Sequence, residues 1–135
     1  MLINLTNHTS DQTRPEPDRW SALQYQTAIE TWGHVLDLGF PVVPPEATAT
    51  EIDDLASQYL NQCVKLFGDH RNKPGESNAV HVMGEMTFTY AMVNKLRDAG
   101  IMAVASTTDR EVEADSRGNK VSKFRFGQFR PYFIL

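Results

Sequence analysis

Three short stretches hold most of the side chains in this 135-residue chain that are equipped for chemistry. Asn7-His8-Thr9-Ser10 offers an imidazole beside an amide and two hydroxyls. Gly84-Glu85-Met86-Thr87 sets a carboxylate and a hydroxyl next to a glycine, and Ser106-Thr107-Thr108-Asp109-Arg110 adds three hydroxyls, a carboxylate and a guanidinium. Hydroxyls and backbone N–H groups bind phosphate oxygens, and an arginine contributes a charge-assisted contact that can be bidentate. An imidazole moves a proton near neutral pH, which makes His8 a candidate acid or base. Glu85 is suited to orient a ribose hydroxyl or to act as a base. The candidate catalytic residues are therefore His8, Glu85 and Arg110. The candidate ligand-binding residues are Asn7, Thr9, Gly84, Met86, Thr87, Ser106, Thr107 and Thr108.

Each has a structural alternative. His8 also reads as an ordinary loop residue, and Glu85 as a first-turn acid that suits the helix dipole. Ser106, Thr107 and Thr108 also read as strand residues whose hydroxyls satisfy local backbone, and Asp109 with Arg110 as a surface pair worth little. Gly84 alone could simply relieve crowding in a strand-to-helix turn. His81 lies inside an apolar run and reads as a structural histidine, while His34 and His70 sit at element ends or in loops.

The elements that must position these groups follow from the apolar pattern. Residues 1–6 predict a first strand, with Asn4 unusual inside it, and residues 11–19, with Pro15 and Pro17 among charges, predict a mobile loop. A helix is expected over 20–32, with Ser21 as its cap and Gly33 closing it. A second strand follows over 35–40, and the prolines after it admit neither a regular helix nor a central strand. Thr48 and Glu51 have capping-box spacing ahead of a helix to about residue 67, striped by Ile52, Leu55, Tyr59, Cys63 and Leu66. Residues 68–77 predict a second mobile loop. A buried strand then runs into Gly84, followed by a helix striped by Phe88, Ala91 or Met92, and Leu96, with Gly100 after its end. Residues 101–105 predict another strand. Residues 111–115 and 120–126 predict a hairpin, and residues 130–135 an edge strand. The expected fold class is α/β: one Rossmann-like domain over residues 1–135, mainly parallel sheet with helices on both faces and a C-terminal β-hairpin. The three chemical stretches then follow the carboxyl ends of parallel strands, where such sheets bind ligands and where helix N-termini favour anions.

Composition narrows the classes. No apolar run approaches a membrane span and no basic-then-apolar leader opens the chain, so a cytoplasmic protein is expected. The single cysteine, Cys63, excludes an internal disulfide and a thiolate metal cluster. Residues 1–116 carry eight Lys/Arg against 17 Asp/Glu, whereas residues 117–135 carry five basic residues and no acid. That basic tail, interleaved with Phe124, Phe126, Phe129 and Tyr132, suits a nucleotide or nucleic acid, and equally a half-buried strand with a solvated basic face. There is no G-x-G-x-x-G, Walker-type loop, H-E-x-x-H, paired cysteines or nucleophile elbow, so hydride transfer, conventional nucleotide hydrolysis and zinc catalysis have little support. Neither a cofactor nor a metal is expected.

Two places resemble a known group. Met1-Leu2-Ile3-Asn4-Leu5-Thr6-Asn7-His8 is similar to the first strand and loop of small one-domain CRISPR-associated Rossmann-like (CARF) proteins. Val80-His81-Val82-Met83-Gly84-Glu85-Met86-Thr87-Phe88-Thr89-Tyr90-Ala91 is similar to the strand, Gly-x-x-[Thr/Ser] turn and helix that hold the ligand there. Viral-type ring nucleases carry a related Gly-His-Glu-x-Thr turn. Gly84, Glu85 and Thr87 match it, and no histidine follows Gly84.

The resemblance implies a homodimer whose facing crevices take a cyclic oligoadenylate, with no membrane and no DNA as partner. It also implies metal-independent cleavage in type III CRISPR defence, in which a ribose 2′-hydroxyl attacks the adjacent phosphate and leaves a 2′,3′-cyclic phosphate. Gly84 and Thr87 would hold phosphate, Glu85 and His8 would serve the 2′-hydroxyl or leaving group, and Arg110 would supply charge. Two alternatives stand beside it: a sensor or sequestering module that binds the nucleotide without cleaving it, and an RNA or protein interaction domain using the basic hairpin.

Overall fold

A computed structural model describes residues 1–70 and 77–134. Its five strands lie in one sheet in the order β2-β1-β3-β4-β5. β1 (Leu2–Leu5), β2 (Val35–Asp37), β3 (Ala79–Val82) and β4 (Met102–Ala114) are mutually parallel, and β5 (Lys120–Pro131) returns antiparallel to β4. The fold is the Rossmann-like α/β arrangement the apolar pattern predicts.

β1 and β3 are apolar except for Asn4 and His81, and are wholly buried because both faces are covered, as parallel strands require. Alternation divides them. Ile3, Leu5, Val80 and Val82 face α2 (Ala49–Asp69) and α3 (Met86–Asp98), where Ile52, Ala56, Cys63, Phe88, Met92 and Leu96 complete the larger core. Leu2, Ala79 and Val104 face α1 (Ala22–Trp32), packing with Ala28, Trp32 and Trp20. Burying one such large apolar side chain contributes on the order of 1.5–3 kcal/mol.

The caps behave as the sequence predicts. Ser21 Oγ accepts from the Gln24 N–H, and Thr48 and Glu51 form a reciprocal capping box. Because Ser21 is the cap, Trp20 lies outside the helix expected to contain it and folds against the sheet, 2% exposed.

Several boundaries differ. β2 stops at Asp37 because the backbone turns at Gly39 (φ 80°), and the Leu38 and Gly39 N–H groups both donate to the Asn4 carbonyl. Residues 11–19 are tied down by hydrogen bonds. Trp20 N–H donates to the Thr9 carbonyl, Gln12 Nε2 to the Ser10 and Trp20 carbonyls, and Arg19 to the Arg14 and Trp20 carbonyls. The expected loop over 68–77 begins as the end of α2 and otherwise lies largely outside the described residues.

The main correction concerns β4. Residues 106–110 are part of a 13-residue strand rather than a loop, because β5 pairs with it nearly from end to end. The single long β5 also absorbs the start of the expected separate edge strand over 130–135. β3 pairs with β4 only as far as His81 opposite Val104, so the rest of the β4–β5 hairpin reaches beyond the sheet as an arm. Its basic residues are partly neutralised: Lys123 Nζ lies 3.0 Å from Glu113 and Arg125 Nε 3.1 Å from Glu111. No helix among the described residues is long and apolar enough to cross a membrane.

Candidate functional site

The chain leaves β1 toward β2 on one side and later enters β3 on the other, so the strand order reverses between β1 and β3. Connections diverge at such a switch point and leave a crevice at the carboxyl ends of the strands. Here the crevice is about 690 Å³. Thr6, Asn7 and His8 enter it after β1, Met83 and Gly84 after β3, and Ser106 and Thr108 from β4. Arg19 and Trp20 form one wall, and Phe124 and Phe126 reach it from the arm.

Beneath it runs a row of polar side chains, one from each of four neighbouring strands. Asn4 and His81 are in register between β1 and β3, and Asn4 is opposite Asp37 of β2. Asn4 Nδ2 donates to Asp37 Oδ1 (2.9 Å) and to the His8 carbonyl (2.7 Å), and Asn4 Oδ1 accepts from Thr6 Oγ1 (2.8 Å). His81 Nδ1 lies 3.1 Å from Asn4 Oδ1, and His81 Nε2 lies 3.1 Å from Ser106 Oγ. The imidazole is 2% exposed. Trp20 and Phe129 pack edge-on against it, each with ring centroids at 5.3 Å. Burial among these rings lowers the His81 pKa to about 4, so the ring is neutral at physiological pH.

The anticipated site residues divide accordingly. Asn7, His8, Gly84, Ser106 and Thr108 line the crevice. The others are engaged elsewhere. Glu85 is the N-cap of α3, and its carboxylate accepts from the Thr87 and Phe88 N–H groups. Those two backbone bonds, then the Thr87 hydroxyl, hold its pKa below the usual carboxylate value. Thr87 Oγ1 is 2.7 Å from both Glu85 carboxylate oxygens, and Met86 and Thr87 line a groove between α2 and α3 instead of the crevice. Thr9 donates to the Asp37 carboxylate.

The reason at β4 is strand parity. Ser106, Thr108 and Arg110 alternate with Thr107 and Asp109, so the five cannot share one face. Thr107 Oγ1 accepts from the Gln128 N–H at the bulge between Ser106 and Thr108. Arg110 Nε and Nη2 donate to Ser122 Oγ, at 3.1 and 2.9 Å, farther along the arm.

Thr6, Arg19, Trp20, His81, Met83, Phe124 and Phe126 were not anticipated in the site. The usable signal was polarity at matching positions: Asn4 and His81 are the single polar residues within β1 and β3. Two such residues must pair or stay unsatisfied, because a buried polar group without a partner costs about 1–3 kcal/mol. Among the described residues no three His, Cys, Asp or Glu side chains lie together so as to hold a metal ion.

With this geometry the crevice can accept hydroxyl groups at its polar floor, phosphate at the loops that follow β1 and β3, and flat rings against its aromatic walls. No curated protein matches the chain. A family model described as "Uncharacterized protein MJ1673 family" matches residues 1–130, a span from before β1 into the last turn of pairing in β5. By that match, which carries every strand contributing to the crevice, the chain belongs to the MJ1673 family.

Proposed function

We propose that the protein binds a cyclic oligoadenylate and cleaves it without a metal, as the resemblance to CARF-type proteins and ring nucleases implies. The observation that carries the reading is the convergence of Asn7, His8, Gly84 and Thr108 with Phe124, Phe126 and Trp20 around one switch-point crevice. Ribose hydroxyls suit the polar floor, phosphate suits the loops at Asn7, His8 and Gly84, and adenine rings suit the aromatic walls, since stacking on an aromatic side chain contributes about 1–3 kcal/mol per base. A volume of 690 Å³ is within the ordinary range for a small-ligand site, which spans about 300–1,000 Å³. A ring of several nucleotides would extend past it, and a second copy of the chain presenting its own crevice would enclose the remainder.

In this reading the protein holds the ribose in line with its own 3′-phosphate, so that the 2′-hydroxyl attacks phosphorus and the 5′-oxygen departs. The 2′-hydroxyl loses its proton, the departing oxygen gains one, and the product end is a 2′,3′-cyclic phosphate. His8 would carry a proton and the backbone at Gly84 would meet charge on the phosphorane oxygens, and both residues line the crevice. Incubation with cyclic tri-, tetra- and hexa-adenylate in EDTA, followed by chromatography, tests it. Linear products ending in a cyclic phosphate support cleavage, and intact rings in every case remove it.

A second reading, capture of the ring without cleavage, has its own support. Of His8, Glu85 and Arg110, only His8 lines the crevice. A ligand-dependent rise in melting temperature with no product favours capture, because a ligand that binds only the native state must stabilise it.

A further inference from the structure

We infer that Ser106 faces the crevice as a hydrogen-bond acceptor and so selects a ribose 2′-hydroxyl over a 2′-deoxyribose. The inference rests on the nucleotide reading above and names the sugar that the site requires. It also changes the role of Ser106 from a donor to phosphate into an acceptor from a hydroxyl.

The direction of every hydrogen bond along the polar row is fixed from its far end. Asp37 carboxylate oxygens only accept, as does the His8 carbonyl, and both lie against the same terminal atom of Asn4. That atom must be the amide nitrogen. The opposite orientation would place the Asn4 oxygen 2.7–2.9 Å from two other acceptors. Asn4 Oδ1 therefore points at His81 and Thr6.

An unprotonated His81 Nδ1 would set a lone pair against that oxygen at 3.1 Å, so Nδ1 carries the proton. The ring is neutral, and its Nε2 is consequently a lone pair. At 3.1 Å it accepts the one proton that Ser106 Oγ can offer. The Met83 sulfur, 3.2 Å from the same oxygen, is a far weaker acceptor than an imidazole nitrogen and does not compete.

With its proton committed to His81, Ser106 Oγ has only lone pairs left for the crevice it lines. A phosphate oxygen finds no donor there, whereas a hydroxyl does find an acceptor. In a ribonucleotide the hydroxyl that DNA lacks is the 2′-OH. Thr108 and the neighbouring backbone hold no comparable buried acceptor chain among the described contacts, so the preference is assigned to Ser106.

The test is calorimetric titration of the full chain with cyclic tetra-adenylate and with its all-2′-deoxy counterpart, on wild type and Ser106→Ala. Wild type should bind the ribose ring about tenfold more tightly, the scale of one hydrogen bond. Ser106→Ala should lose that preference by weakening the ribose ring alone. Equal binding of both rings to wild type, or a preference that survives in Ser106→Ala, overturns the inference and leaves the nucleotide reading intact. Binding of neither ring overturns that reading, and the inference with it. Nitrogen-15 NMR of the His81 ring checks the polarity without any ligand. A protonated Nδ1 and a pyridine-type Nε2 are expected, and the reverse tautomer refutes the argument even where the serine variant fails to fold.

Discussion

The ring of Phe40 occupies the space that a side chain on Gly84 would need. A Cβ built on Gly84 would lie 2.4 Å from two ring carbons of Phe40. Phe40 in turn packs edge-on against buried Phe88, with centroids 5.1 Å apart, so moving the ring aside gives up that contact. Packing against Phe40 thus favours glycine at the head of this turn, whatever the crevice binds. Gly84→Ala should destabilise the fold by about 1–3 kcal/mol, the usual cost of overpacking. In a Phe40→Leu background its cost should shrink. Urea melts of the four species measure the coupling, and additive costs would show that the contact does not matter.

His81 ties stability to pH. Its ordinary pKa is 6.5 and burial lowers the folded value to about 4, so the unfolded chain binds the proton more readily. The sign follows: this contribution is fully present above pH 6.5 and is lost as pH falls toward 4, by roughly 3 kcal/mol at most. Denaturant melts across that window should show the slope, and His81→Gln should flatten it. Direct NMR titration of His81 gives a check independent of the variant. A midpoint near 6.5 would contradict the burial argument.

The cap of α3 has its own window. Glu85 accepts from the Thr87 and Phe88 N–H groups, which keep its pKa below the ordinary 4.5. The cap is fully formed above that value and is lost as pH falls below it. Glu85→Ala should therefore lower Tm at neutral pH, and the gap to wild type should close on acidification. A gap independent of pH would mean the carboxylate is not capping.

Cys63 is fully buried in the core against the sheet, and burial pushes its thiol pKa up to about 12. The reactive species is the thiolate, so the native protein should resist disulfide reagents. Labelling should accelerate with added denaturant in step with unfolding. Rapid labelling of the folded protein would show that α2 opens locally.

The arm offers a separable test of ligand contact. Phe124 is 69% exposed yet lines the crevice, so Phe124→Ala should leave the thermal melt nearly unchanged. It should weaken cyclic tetra-adenylate by about 1–3 kcal/mol if a base stacks there. Fluorescence titration reads the affinity, and an unaltered value removes this wall from the site.

Sequence alone determined the three helices, the first three strands and their order, because local physics settles them. Ser21 and the Thr48–Glu51 box start helices through bonds within one turn. The apolar stripes through Cys63 and Phe88 could be buried only against a sheet, and the apolar runs of β1 and β3 suit strands covered on both faces. His8, Asn7 and Gly84 could be placed at the crevice because each directly follows a parallel strand. What the tertiary structure decided is which neighbours each polar group meets. Pairing of β4 with β5 turned an expected loop into a strand, and its alternation sent Ser106 and Thr108 to the crevice while Thr107 went to the bulge. Glu85 and Thr87 satisfied the helix start and each other. His81, which looked merely structural within its own strand, acquired Asn4 and Ser106 as partners 77 and 25 residues away in the chain. Strand order and register create those contacts, and no local pattern in the sequence encodes them.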